Sequence, residues 1–372
     1  MADPEPIPVL ELLVSTQAGG GPQHVLTLAN GLRARGWAPV VAGPRDGTLF
    51  ERFAAAGIEI VELATNRLRP DVMLSLMRLM HGRGIRLVHS HGKGAGLHGR
   101  LAARMLGVPA VHTFHGLHFE RYPPPLRHAY LALERRLARW TRLIVSVSRA
   151  QEREALALDL FPREISRVVR NGVDVAALNA TALDRGAARA ALALEPGLTV
   201  VGCAARLDEV KRLDVLLKAA AAMRRPGLVV AIIGGGAEER RLRALAASLD
   251  LGACVKFAGE IPGAARLFRA FDVYAAPSRK EGMPLAVVEA MALGMPVVAS
   301  DIAAHREVLG DACEGLVEGT VEAFAAGLEG LLSDSAAMRA WGAQNRTRAR
   351  SEFDARDMVS AMDAVYREAL GV

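Results

Sequence analysis

The chain has 372 residues, 51% of them apolar and 5% aromatic, and a formal charge of +6 carried mainly by arginine. That length suffices for two domains with sizeable cores. No apolar run is long enough to span a bilayer, and the opening MADPEPIPVLELLVS lacks the basic start of a secretory signal. Basic residues without interleaved stacking aromatics or a recognisable motif argue against nucleic acid, leaving anionic lipid and phosphorylated small molecules as suitable partners.

Apolar strand-like runs alternate with helical patterns from end to end, the signature of parallel sheets covered on both faces. The first half offers strands near 8–14, 38–42, 58–62, 86–90, 109–113 and 142–147. A second series runs near 198–204, 228–233, 254–258, 272–276 and 295–299, after a polar, Ala-rich stretch. The pattern gives two doubly wound domains, 1–175 and 196–350, joined by a linker over 176–195, with a helical end from about 336 onward. Ligands of such sheets sit at the carboxyl ends of the strands. Cys203, Cys254 and Cys313 lie far apart among apolar residues and read as core hydrophobes in a reducing compartment.

The first strand ends in Ser15-Thr16-Gln17-Ala18-Gly19-Gly20-Gly21-Pro22, with a helix opening near Gln23. The glycines let backbone approach a ligand, although a tight turn alone would explain them nearly as well. Gly234-Gly235-Gly236 is the corresponding turn of the second series. Histidines end two strands, at His89-Ser90-His91-Gly92 and His112-Thr113-Phe114-His115-Gly116. A lone histidine is more often structural than functional, and neither spacing makes a metal set. Strand-end position raises His91 and His115 as ligand contacts, His115 the more strongly.

The helices near 71–81, with Met73, Met77 and Met80, and over 121–142, rich in arginine with Tyr130, Leu133 and Trp140, can lie on an anionic membrane or pack as ordinary faces. Arg206 ends the first strand of the second series and Lys211 opens the next helical segment. Arginine forks onto phosphate and lysine supplies a point charge, so R-x4-K at this edge reads as a diphosphate clamp. SRKEGMPLAVVEAMALG, 278–294, passes from a strand into a helix whose first residue is Pro284, with Glu281 in the loop and Glu289 about two turns in. Its N-terminus is a natural anion seat; taken alone, a solvated helix with two incidental carboxylates is the favoured reading.

These segments together resemble the retaining nucleotide-sugar glycosyltransferases of glycosyltransferase family 4. The matching pieces are Gly19-Gly20-Gly21 with His24, His91-Gly92-Lys93, Thr113-Phe114-His115-Gly116, Asn171-Gly172-Val173-Asp174, Arg206 with Lys211, Gly234-Gly235-Gly236, and the Glu281 to Glu289 block. The resemblance implies the α/β GT-B fold, two Rossmann-like domains facing each other across a deep cleft, with a final helix over 354–372 crossing back onto the first domain. It implies Arg206 and Lys211 on the donor diphosphate, Glu289 on the ribose, and Glu281, Gly282, Met283, Pro284 and Leu285 on the sugar and phosphate. Gly19, Gly20, Gly21 and Gly235 would approach the donor, Ile261 with its loop would meet the base, and His115 the sugar near the reacting centre. His91 and Lys93 are acceptor-side candidates.

The expected reaction transfers a sugar with retention from a nucleoside-diphosphate sugar, UDP by default, to a glycan or polyprenyl-linked acceptor in cell-envelope synthesis. No D-x-D metal motif is evident, so metal independence is expected, in a cytoplasmic protein for which contact with the inner face of the membrane is one of two open readings. A sugar-nucleotide epimerase and a non-catalytic nucleotide-sugar-binding protein are the rivals. Glycoside hydrolysis suits the residues poorly, because Glu281 and Glu289 should lie about 12 Å apart by helix rise, beyond the usual carboxylate pair. Ile302 to Glu307 and Pro22 depart from the family pattern.

Overall fold

A computed structural model describes residues 5–67, 69–117, 119–120 and 122–372; Arg121, which opens the basic segment, lies outside the described residues. The chain divides into unit 1, residues 1–172 with 355–372, and unit 2, residues 173–354.

Unit 1 alternates β1 (Ile7–Leu13), α1 (Gly20–Arg33), β2 (Trp37–Gly43), α2 (Leu49–Ala55), β3 (Glu59–Glu62), α3 (Pro70–Gly82) and β4 (Leu87–His91). It continues with α4 (Lys93–Leu106), β5 (Ala110–Phe114), α5 (Pro124–Ala138), β6 (Leu143–Ser146), α6 (Arg149–Ala157) and β7 (Ser166–Val168). The sheet is parallel, in order β3-β2-β1-β4-β5-β6-β7. The order reverses between β1 and β4, the place where open α/β sheets take ligands.

Unit 2 contains α7 (Val175–Thr181), α8 (Arg185–Ala191), β8 (Thr199–Ala204), α9 (Leu213–Met223), β9 (Leu228–Ile233), α10 (Glu239–Ser248) and β10 (Val255–Phe257). Then come β11 (Val273–Ala276), α11 (Leu285–Ala292), β12 (Val297–Ser300), α12 (Ala303–Leu309), β13 (Leu316–Val317), α13 (Val321–Ser333) and α14 (Ser335–Glu352). The second sheet is parallel in order β10-β9-β8-β11-β12-β13, with its reversal between β8 and β11. Both sheets are Rossmann-like.

The expected linker over 176–195 is not one. Asp174 and Asp184 cap α7 and α8 by accepting from the backbone N–H of Ala177 and Ala187 at 2.8 and 2.9 Å. Arg189 is buried and donates to Asp272 and to the carbonyls of Ala270 and Leu198, which fastens α8 into unit 2. The chain returns to unit 1 through α15 (Ala355–Leu370), which buries Met358, Val359, Met362, Val365 and Tyr366 against α1 and the central strands. At roughly 1.5–3 kcal/mol for each large apolar side chain, that stripe is a substantial part of the unit 1 core.

One smaller expectation is corrected and one alternative is decided. Cys203 is buried, but Cys254 is exposed on a 3-10 turn. Of the two readings of α3, packing holds: Met80 is buried, and Met73 and Met77, partly buried, pack against the same core. Among the described residues no helix is long and apolar enough to cross a membrane.

Candidate active site

Unit 2 gathers its charged residues at the sheet reversal. Arg206 follows β8 and its side chain, 59% exposed, is held by Asp208 at 2.8 Å. Five residues on, in a 3-10 turn, Lys211 Nζ donates to Glu281 Oε1 at 2.6 Å. Lys211 and Glu281 come from the loops after β8 and β11, so the reversal itself joins them. Burial would raise the Glu281 carboxyl, but Lys211, His305 and the Ser278 hydroxyl together hold it below its ordinary value. It is therefore an anion that fixes the direction of a lysine.

The loop carrying Arg206 is shaped by glycine. A Cβ at Gly234 would stand 1.9 Å from the Ala205 carbonyl oxygen, and one at Gly236 would stand 2.3 Å from that of Leu207. Their φ angles of 140° and 157° suit glycine alone. Leu207 N–H then donates to the Gly235 carbonyl at 2.9 Å, and Gly234 N–H to that of Gly259 at 2.7 Å. The strand-end loops of β8, β9 and β10, the last leading to Ile261, are thus laced together by backbone.

Pro284 is the N-cap of α11 rather than its first helical residue, which is Leu285. The N–H groups of Val287 and Val288 turn back to the Pro284 carbonyl, so those of Leu285 and Ala286 remain end-of-helix donors. Gly282, Met283 and Pro284 are buried beneath this end, and Glu289 is half-buried on α11. The departing segment Ile302 to Glu307 leads into α12, where His305 is buried with Nδ1 donating to the Ser300 carbonyl at 2.7 Å.

Unit 1 is organised differently, around buried histidines. Helix α1 starts at Gly20, three residues earlier than expected, with Gly19 as N-cap and Pro22 in the first turn. A Cβ on Gly21 would lie 3.3 Å from Cδ2 of His115, so this glycine gives the imidazole room. His115, just past β5, is half-buried, and the ring of His24 meets it edge-on at 5.1 Å. Burial first, then His24, His91 and His89, hold His115 well below the ordinary histidine value.

His91, an acceptor-side candidate, lies within the buried layer. It is 2% exposed, with Nε2 2.8 Å from Glu11 Oε2 and Nδ1 2.9 Å from His115 Nε2. Lys93 lies outside this layer, its ammonium 4.4 and 4.6 Å from the ring centres of Tyr122 and Tyr130.

Sequence reasoning missed Glu11 and Tyr366. Glu11, His89 and Tyr366 are fully buried; Tyr366 Oη donates to Glu11 Oε1 at 2.5 Å, and His89 Nδ1 lies 2.5 Å from that hydroxyl. Sheet register aligns Glu11 with His89. Burial would raise the Glu11 carboxyl, but the facing N–H groups of His89 and His91 reverse this and keep it ionised. One oxygen of Glu11, one nitrogen of His89 and one of His91 lie within 4.8 Å of one another, a set that could hold a metal ion. In this structure these atoms already face one another in hydrogen bonds. The signal available was a single acid inside the apolar run Ile7–Leu13.

A model of glycosyl transferases group 1 matches residues 184–348, and one of glycosyltransferase family 4 matches residues 18–177. The protein is thus a glycosyltransferase of the GT-B architecture. A D-inositol 3-phosphate glycosyltransferase of Saccharomonospora viridis is 32% identical over 308 residues, covering 76% of this chain and 70% of the relative. That of Mycolicibacterium gilvum is 32% identical over 327 residues, 82% of this chain and 69% of the relative. The chain belongs to glycosyltransferase family 4. The fold is shared with Anabaena Alr3699/HepE in complex with UDP and glucose, at TM-score 0.86 and 20% identity over 97% of this chain and 99% of that one. Sucrose-phosphate synthase from Thermosynechococcus elongatus has TM-score 0.82 and 22% identity, over 97% and 98% of the two chains.

Proposed function

We propose that the protein transfers a sugar from a nucleoside-diphosphate sugar, with UDP as the base, to a hydroxyl acceptor with retention of configuration and without a metal. The observation that carries this reading is the Lys211–Glu281 pair at the reversal of the second sheet, beside the N-terminus of α11. Departure of the leaving group builds charge on a diphosphate. A cation already aimed by an anion, with helix-end donors beside it, stabilises that charge more than the ground state. Arg206 is the second cation, held by Asp208 until phosphate competes for it. Glu289 takes the ribose hydroxyls, Gly19, Gly20, Gly21 and Gly235 allow backbone to approach the donor, and Ile261 lies in the base loop. His115 meets the sugar as a neutral imidazole and adds no positive charge beside a developing oxocarbenium ion. The donor phosphate accepts the proton of the incoming hydroxyl. UDP and glucose held by the HepE neighbour support the choice of donor class.

For the acceptor, the names of the relatives make D-inositol 3-phosphate the first compound to assay. A glycan or polyprenyl-linked glycan at the inner face of the membrane is the second. Leu126 and Leu133 of α5 are 60% and 41% exposed, with Arg127 and Arg136 beside them, a face suited to anionic lipid.

Thermal-shift screening against UDP, GDP, ADP, dTDP and CDP should single out UDP. Transfer assays on matching donors, with the anomer of the product read by NMR, should show retention. Absence of stabilisation by any nucleotide, or an inverted product, would end the reading. An altered donor sugar formed without acceptor would indicate an epimerase, and binding without transfer across the panel a non-catalytic protein.

A further inference from the structure

The buried network of unit 1 assigns every proton in it. Tyr366 has one hydroxyl hydrogen and gives it to Glu11. His89 Nδ1 must therefore donate to the Tyr366 oxygen, and the neighbouring Glu11 Oε2 at 3.2 Å suits the same N–H. The other nitrogen of His89, Nε2, then accepts from the Thr113 hydroxyl at 2.7 Å. An ionised Glu11 only accepts, so His91 Nε2 carries the proton shared with it. His91 is buried beside His89, and its pKa is lowered to about 4, so it is neutral and Nδ1 is an acceptor. Its partner is His115 Nε2 at 2.9 Å, which must donate. Of the ring nitrogens in His89, His91 and His115, His115 Nδ1 alone has no hydrogen-bond partner among the described residues.

We propose that Glu11, His91 and Tyr366 are positioning residues that lock His115 as the neutral Nε2–H tautomer and set the plane of its ring. The chain from Tyr366 and Glu11 through His91 to His115 runs from the C-terminal helix across β1 and β4 to the end of β5. Neighbouring groups confine the plane of the ring: His24 lies against it, and Gly21 leaves room for its Cδ2 edge. Reversing the tautomer would place two lone pairs, or two N–H groups, face to face between His91 and His115. The proposal rests on the transferase reading only for its catalytic consequence; the tautomer itself is a property of the unliganded protein.

The test uses full-length protein labelled with nitrogen-15 in histidine, with His115 assigned from the signal lost in His115→Gln. Long-range proton–nitrogen correlation should show Nε2 protonated and Nδ1 bare in wild type. Glu11→Gln should destroy that single state and lower turnover about 10- to 100-fold, the worth of a hydrogen bond to a buried charge. Affinity for UDP should stay the same, since its proposed diphosphate and ribose contacts lie in unit 2. Tyr366→Phe keeps the ring in the core, so it should fold even where Glu11→Gln does not, and it should shift the His115 tautomer in the same sense by a smaller amount. A wild-type His115 protonated at Nδ1, or an unchanged tautomer with unchanged turnover in the variants that fold, would overturn the proposal. Equal loss of UDP affinity and turnover would also overturn it, because that reports general damage. A wild-type protein with the expected tautomer but no transfer from any donor would refute the function and leave the positioning network standing.

Discussion

The two units share a parallel topology and a reversal of strand order, yet they place charge near it in opposite ways. Unit 1 buries an ionised carboxylate, Glu11, under neutral imidazoles and a tyrosine hydroxyl, with almost no water contact. Unit 2 sets Arg206 against Asp208 and Lys211 against Glu281, with the side chains 59% and 17%, and 22% and 13%, exposed. Isolated buried charge is costly, so unit 1 surrounds Glu11 with donors, keeps the histidines neutral and pairs its other buried acid, Glu134, with Arg100. Half-exposed pairs hold their charges ready, because water and salt already compete for them. Burial, more than fold, decides whether a strand end works through dipoles or through charge.

The largest way to break this comparison is Glu11→Ala, which strands the N–H groups of His89 and His91 and the Tyr366 hydroxyl in a dry core. Removing one partner from such a buried set should cost about 3–5 kcal/mol. Amide exchange read separately in each unit should lose protection in β1, β4 and α15 and keep it in unit 2. A loss below about 1 kcal/mol would mean the network is less tightly coupled than its geometry implies. Lys211→Ala should do the reverse. Turnover should fall about 100- to 1,000-fold, as when one preorganised electrostatic donor is removed. Protection in unit 2 should change little, because Ser278 and His305 still attend Glu281. Turnover within a factor of two of wild type would remove Lys211 from the chemistry.

Acidification sharpens the contrast. His91 is lowered to about 4 and His24 to about 3, and His89, His112 and His115 move in the same direction, burial being the first cause in each. Between these values and about 6.5 the unfolded chain binds more protons than the folded one, so stability rises with pH. The contribution is complete above about pH 6.5 and is lost as pH falls toward 4. His91 titrating alone would contribute about 3 kcal/mol. Around these imidazoles, Glu11 and Tyr366 are the titratable groups of β1 and α15, and Arg100 faces His112 from α4. In unit 2 only His305 behaves this way among the described residues, while Glu281, held below its ordinary value, gives up its contribution at lower pH. Protection should therefore fail first in unit 1; simultaneous loss in both units would contradict this account.

What could be read without coordinates was whatever repeats locally. The alternation of apolar strands and amphipathic helices located most strands to within a residue or two. Leu316–Val317 escaped because two residues between Gly315 and Gly319 carry no period. The caps Asp174 and Asp184 were visible as residues, but the burial of Arg189 on Asp272 depends on a contact 83 positions away. At the site, Lys211 and Glu281 each belonged to a recognisable motif, and their pairing needed the strand order. Glu11 meets His91 across 80 positions and Tyr366 across 355, so only register and the returning α15 reveal that they act together.

The smallest predicted effect separates space from stability. Gly21 sits in the first turn of α1, and a Cβ there would stand 3.3 Å from His115 Cδ2 and 3.4 Å from Cγ. Such contacts are tight without being prohibitive. In helix propensity alanine gains about 0.5–1 kcal/mol over glycine. Gly21→Ala should therefore leave unit 1 as stable as wild type, or slightly more so, while the ring of His115 yields by a few tenths of an ångström. If His115 works through a fixed plane and a single lone pair, turnover should fall by about 3- to 10-fold, since a misaligned hydrogen bond forfeits about 1 kcal/mol. A stable variant with unimpaired turnover would show that the imidazole has slack, and that unit 1 holds its shape more firmly than its chemistry requires.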